Sequence, residues 1–144
     1  MIALDTNLLV HAHQREASLH GPASALVRTC AESRVPWGIC VHTLVEFYAV
    51  ATQPRLWRAP STPAQAWDQI ASWRESPSLR LLGDLPGLVE LLAELSQSAQ
   101  VHGGMIHDAR IAAMCLLHGV DELWTIDRDF GRFPRLRTRN PLMQ

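Results

Sequence analysis

Met1-Ile2-Ala3-Leu4-Asp5-Thr6-Asn7 opens the chain with an apolar run that breaks directly into a carboxylate. Ile, Ala and Leu in succession fit a short parallel strand covered on both faces, and Asp-Thr-Asn supplies the turn and N-cap chemistry that starts a helix. Asp5 is therefore expected at the carboxyl end of a strand. In an open α/β sheet that edge holds the ligand crevice, at the point where strand order reverses. Taken alone, the tripeptide reads most simply as a cap, the Asp5 side chain accepting from an orphan backbone N–H. A metal-ligand reading requires other acids to arrive beside it.

Working outward, Leu8 to Arg15 continues as a short helix, and Gly21-Pro22 opens a second, with Ala23, Leu26, Val27 and Cys30 on its inner face. Trp37 to Val41 reads as a second buried strand, with His42-Thr43 at the cap of the helix that follows. That helix, Leu44 to Ala51, is apolar nearly all round, and Glu46 is the only charge between Arg34 and Arg55. A lone carboxylate in such a setting costs several kcal/mol unless it is paired, protonated or bound to a metal. A first-turn position facing the helix dipole is its simpler explanation.

Between Gln53 and Leu82, Pro54 and Pro60 punctuate a loop and Thr62-Pro63 caps a helix carrying Trp67, Ile70 and Trp73. With Trp57, these tryptophans are expected in the core, a partner-binding surface being the second reading. Leu79 to Leu82 forms a third strand, and Asp84 with Pro86 starts a helix whose Leu88, Leu91, Leu92 and Leu95 keep helical spacing. After His102-Gly103-Gly104, a helix runs from Met105 to the Gly119 stop, and its first-turn Asp108 shares a face with Ile111 and Cys115. Here too the dipole offers a plain alternative. Glu122 to Ile126 is a fourth strand breaking into Asp127-Arg128-Asp129, and Leu136 to Thr138 a short fifth. This alternation predicts an α/β fold with a central parallel sheet of about five strands.

Composition narrows the function. With 144 residues, 47% apolar and 19% charged, the chain is expected to fold as one domain, 1–144, large enough to bury a core unaided. The sequence shows neither a membrane-length apolar run nor a signal-peptide pattern, so a cytoplasmic protein without a membrane partner is expected. Cys30, Cys40 and Cys115 lack CxxC spacing and sit among apolar neighbours, as buried thiols do. All 13 basic residues are Arg, which excludes chemistry that needs a lysine amine, including a Walker-A loop and a Schiff base. Arg128, Arg132, Arg135, Arg137 and Arg139 cluster near the end, as a solvated face or as a phosphate-binding strip.

Asp5, Glu46, Asp108 and Asp127 can converge on one edge of the sheet. Carboxylates that close repel and raise one another's pKa values unless a divalent cation neutralises them, and an all-oxygen donor set selects Mg²⁺ or Mn²⁺ over zinc. Asp5-Thr6-Asn7, Glu46 in an apolar helix, His107-Asp108-Ala109 and Thr125-Ile126-Asp127-Arg128-Asp129-Phe130 together resemble the PIN domain, in particular the VapC-type toxins of bacterial toxin–antitoxin pairs. The resemblance covers essentially the whole chain. It implies a three-layer α/β/α sandwich and a Mg²⁺- or Mn²⁺-dependent endoribonuclease. It implies a homodimer and a cognate antitoxin that occludes the site.

Carried over by position, Asp5 and Asp108 match the principal metal ligands, and Glu46 and Asp127 complete the acidic quartet. Asn7 and Thr125 match the polar positions that steady the acids. Asp129 is the alternative to Asp127, which is preferred as the nearer to the strand end. His107 and His11 are read as structural or RNA-adjacent rather than catalytic. Arg110, Arg128 and Arg132 are the candidate RNA contacts, and binding that depends on both salt and metal is expected. Three other readings stand beside this one. A catalytically silent RNA- or partner-binding module would not need four acids. A haloacid-dehalogenase phosphatase would need an Asp where Asn7 stands, and a Lys. A DNA-directed nuclease could use the same site.

Overall fold

The structure, a computed structural model, describes residues 1–143. Strands β1 (Ile2–Leu4), β2 (Trp37–Cys40), β3 (Leu79–Leu82), β4 (Glu122–Trp124) and β5 (Thr138–Arg139) form one sheet in the order β3-β2-β1-β4-β5, with every pair parallel. The first strand is thus the central one, and strand order reverses between β1 and β4. The helices are α1 (Thr6–His13), α2 (His20–Glu32), α3 (Val41–Ala51), α4 (Pro63–Arg74), α5 (Leu88–Ser98) and α6 (Ile106–Leu117). None of the helices among the described residues is long and apolar enough to cross a membrane.

Side chains alternate across the strands, which divides the core into two. Leu4, Trp37, Ile39 and Trp124 face a cluster built with Leu8, Leu9, Val27, Leu44, Phe47, Ile70 and Trp73 from α1 to α4. Ala3, Cys40, Leu82 and Leu123 face the opposite cluster, with Leu95 of α5, Ile111, Met114 and Cys115 of α6, and Phe130, Phe133 and Leu136 near the C-terminus. Phe47 is fully buried, edge-on to Trp73 at 4.7 Å and to His13 at 5.2 Å. Burial of such a ring stabilises by about 2–3 kcal/mol. The Cys40 and Cys115 sulfurs lie 3.9 Å apart as free thiols beneath the site.

Several boundaries differ from the sequence reading. Helix α1 starts at Thr6 and α2 at His20. The α3 helix starts at Val41, with Cys40 in the N-cap position, so His42 and Thr43 lie inside the first turn and cap nothing. Glu46 consequently falls in the second turn, where the dipole has faded. Val41 and Val45 on the same helix are exposed, so α3 is buried on one side only. The cap expected at Thr62 is present: its hydroxyl accepts from Gln65 N–H at 3.1 Å and its own N–H donates to Gln65 Oε1 at 2.9 Å. Such caps are worth about 1 kcal/mol. The α5 helix begins only at Leu88, after Gly87 at φ 91°. Trp57 and Trp73 join the core, whereas Trp67 is 58% exposed and leans on Tyr48. Strand β4 stops at Trp124, and β5 lies at Thr138–Arg139 because Leu136 turns into the core.

Candidate metal centre at the carboxyl edge of the sheet

Asp5 and Thr125 leave the adjacent ends of β1 and β4, the two strands that flank the reversal in strand order. The Asp5 amide N–H donates to Trp124 C=O at 3.0 Å, which extends the ladder up to the acid itself. Asp5 occupies the N-cap position of α1, yet its side chain caps nothing. Instead Asp5 Oδ2 accepts from the Thr125 hydroxyl at 2.7 Å, and Thr125 Oγ1 accepts from Asp127 N–H at 2.9 Å. One buried hydroxyl therefore locks the first acid of the chain to the last acidic segment.

The 3₁₀ turn Arg128–Arg132 follows, and Asp127 Oδ1 caps it by accepting from Asp129 N–H at 2.8 Å. That turn curls Asp129 back beside Asp127. One carboxylate oxygen each from Asp108, Asp127 and Asp129 lie within 4.8 Å of one another. The choice posed between Asp127 and Asp129 is thus not exclusive, since both approach Asp108. Asp108 stands in the first turn of α6, and Glu46 Oε1 accepts from Thr6 Oγ1 at 3.4 Å across the mouth of the crevice.

Electrostatics bind the five acids into one system. Asp5 is 3% exposed, and burial lifts its pKa to about 7 against the opposing bond from Thr125 and the nearby Thr6 backbone, with the charges of Asp108 and Glu46 adding to the rise. Asp108 is raised to about 6, first by burial and then by the charges of Asp127, Glu46 and Asp129. Glu46 is raised by burial, with His107 and Thr6 opposing. Burial is the largest cause in each, and the neighbouring carboxylates add to it at Asp5 and Asp108. Oxygens on opposite sides of a Mg²⁺ ion with bonds of about 2.1 Å lie about 4.2 Å apart, so the Asp108–Asp127–Asp129 spacing and the all-oxygen donor set fit a hard divalent cation.

Other residues fall less close to expectation. Asn7 is exposed and bonds to none of the acids among the described residues; Thr6, its neighbour, holds Glu46 instead. Sequence patterning missed Thr6 because a buried hydroxyl at the start of a helix looks like any other first-turn residue. Arg110 pairs with an acid outside the cluster: its Nη2 donates to both carboxylate oxygens of Asp84 at 3.1 Å. Arg135 pairs with Glu94, Arg137 with Glu122, and Arg139 lies over the Trp124 ring. Arg128 and Arg132 are exposed and have no acidic partner among the described residues. They flank Asp129.

His11 Nδ1 accepts from Leu19 N–H and its carbonyl receives His20, a clasp between α1 and α2. His107 stacks on His42 at 5.0 Å with their nitrogens 3.0 Å apart, joining the first turns of α3 and α6. This pair was not legible from the sequence. Burial, with Arg110 and His107 nearby, lowers the His42 pKa.

The PIN domain family model matches residues 2–136, and the chain belongs to that family. Ribonuclease VapC43 of Mycobacterium tuberculosis (strain CDC 1551 / Oshkosh) is 32% identical over 144 residues, which span 99% of this chain and 96% of that one. The structure is similar to that of Mycobacterium tuberculosis VapC20, described as a Sarcin-Ricin loop cleaving toxin, with a TM-score of 0.68, 21% identity, and coverage of 91% of this chain and 93% of that chain. It is similar also to a chain of VapBC2 from Rickettsia felis bound to a DNA fragment from their promoter, with a TM-score of 0.69, 17% identity, and coverage of 96% and 98%. At these identities the structural likeness is one of fold.

Thr125 gives the site its first test. Thr125→Val removes the donor to Asp5 and the acceptor for Asp127 while keeping the shape. Groups that orient metal ligands typically matter by 10–100-fold. We expect nuclease activity to fall by about that factor, with a comparable loss of Mn²⁺ affinity in titration calorimetry. Unchanged affinity would remove Thr125 from the site.

Proposed function

We propose that the protein is a metal-dependent endoribonuclease, the toxin of a VapBC-like toxin–antitoxin pair acting in the cytoplasm. The observation that carries this reading is the gathering of Asp5, Glu46, Asp108, Asp127 and Asp129 at one edge of the sheet, with the pKa values of Asp5, Glu46 and Asp108 raised, first by burial and, for Asp5 and Asp108, also by neighbouring carboxylates. Asp5 and Asp108 are the principal ligands, and Asp127 and Asp129 close the cage. A Mg²⁺ or Mn²⁺ ion held there supplies Lewis acidity toward water and phosphate and neutralises charge on the reacting phosphodiester. Thr125 keeps the Asp5 carboxylate oriented. Glu46, raised by burial, takes up the proton released by the attacking water at Oε2, the oxygen that Thr6 and His42 leave free. Arg128 and Arg132 contact flanking phosphates, which makes RNA binding salt-dependent.

The names of the relatives support the ribonuclease reading, and the Rickettsia complex supports an antitoxin as partner. A homodimer is supported by the exposed apolar side chains of Val41, Val45 and Trp67 on α3 and α4, which a second copy would cover. Retention of the full acid set favours an active enzyme over a silent module.

Purified protein incubated with single-stranded RNA, structured RNA and single-stranded DNA, each with Mg²⁺, Mn²⁺ or chelator, tests the function. Metal-dependent cleavage confined to RNA is expected. Cleavage that survives chelation would overturn the mechanism, and preferential cleavage of DNA would replace the substrate.

A further inference from the structure

A cavity opens beside the acids, beyond the ends of β4 and β5. Its volume is about 240 Å³, and Ile126, Asp127, Arg128, Thr138, Asn140 and Met143 line it. Thr125 and Asp127 are the wall it shares with the acidic site, so a group seated in the cavity lies beside the acids. Its chemistry is unlike that of the acidic crevice. Ile126 and Met143 present apolar surface, Met143 being 65% exposed, and Arg128 is the cation on its rim. The volume is right for a single planar base with part of its sugar.

Asn140 determines what such a base must offer. Its Oδ1 is already committed, accepting from Leu142 N–H at 3.0 Å. This Asx turn fixes the carboxamide with its oxygen on the backbone and leaves the nitrogen with two donors and no partner among the described residues. Thr138 adds an exposed hydroxyl on the neighbouring strand. With its oxygen turned to the backbone, the amide presents its nitrogen, which favours a base edge with adjacent acceptors. Guanine presents O6 and N7 side by side, whereas adenine places an amino donor where guanine has O6. Single-stranded RNA exposes these edges and the base faces together.

The geometry points to a nucleobase subsite, selective for guanine over adenine, that holds the nucleotide next to the scissile phosphate. Ile126 and Met143 contact the base face, the Asn140 amide donates to O6 and N7, and Arg128 meets the phosphate on the same nucleotide. This inference deepens the nuclease reading and rests on it for the role of the subsite, although the subsite itself binds a nucleotide whether or not the protein cuts RNA.

The test is mononucleotide binding by the full chain without added metal, followed by chemical-shift changes or calorimetry with 5′-GMP and 5′-AMP. Wild type is expected to bind 5′-GMP about tenfold more tightly than 5′-AMP, the discrimination typical of a bidentate base contact. Asn140→Asp keeps the oxygen that holds Leu142 N–H and replaces the donors with an acceptor. It should lose most of the tenfold preference or reverse it while melting as wild type does. Equal binding of the two nucleotides by wild type, or a preference untouched by Asn140→Asp, would overturn the subsite. In either case metal-dependent RNA cleavage measured separately would still stand, so failure of the subsite and failure of the nuclease reading are distinguishable.

Discussion

Asp108→Asn should abolish RNA cleavage, lowering the single-turnover rate by more than about 100-fold, because it removes the carboxylate to which the other four are electrostatically tied. The same substitution should leave the fold intact. Asp108 sits at the end of a helix whose buried face is Ala109, Ile111, Ala112, Ala113, Met114 and Cys115, and none of that packing depends on its charge. Without metal the variant should melt higher than wild type near neutral pH, since one of several repelling carboxylates is gone. Loss of function with gain of stability separates a ligand from a structural acid. A variant that kept activity within a few-fold, or that melted lower, would remove Asp108 from the centre.

The second large effect is a linkage between pH, metal and stability. Asp5 keeps its proton to about pH 7 in the folded protein but releases it near 3.8 when unfolded. Between those values the native state binds the extra proton, so metal-free stability should fall as pH rises through the window, and the loss is complete above about pH 7. For so buried a group the loss amounts to a few kcal/mol. Asp108, raised to about 6, acts in the same direction over the lower part of the window. Divalent cation should reverse the loss. At about 100 times its Kd, Mg²⁺ or Mn²⁺ adds about 2.7 kcal/mol. In a chain of this size that is a melting shift on the order of 5–10 °C. The shift should be largest at about pH 8, shrink toward about pH 5, and be strongly reduced in Asp5→Asn. Melting temperatures that rose with pH across this range in chelator would refute the assignment of Asp5.

The parts of the site legible from sequence were those set by chain continuity. An apolar strand that breaks into acid can place that acid only at the carboxyl edge, and this located Asp5 and Asp127. Asp108 was legible because its spacing to Ile111 and Cys115 fixed its face of the helix. What escaped depended on contacts across the crevice. The 3₁₀ turn that brings Asp129 back beside Asp127 is closed by a side-chain bond that no periodicity reports. Glu46 was placed one turn too early because Cys40, a residue without capping chemistry, holds the N-cap of α3. Arg110 looked available because Asp84, its partner, lies 26 residues away on the approach to another helix. The Leu136 and Thr138 region was shifted for a similar reason: the apolar Leu136 that suggested a strand is drawn into the core instead.

The position of β1 also has a consequence for how the enzyme comes into being. Of the five strands, the first in chain order is the one in the middle of the sheet, and one of its two partners, Glu122–Trp124, lies some 120 residues later. Contacts of such sequence separation are slow to close and form late. A nascent chain therefore carries Asp5 with neither Thr125 to orient it nor Asp127 and Asp129 to complete the cage. The acidic cluster cannot close until the segment carrying Asp127 and Asp129 has been made. For a ribonuclease, this order of assembly makes the acidic centre one of the last features of the fold to form.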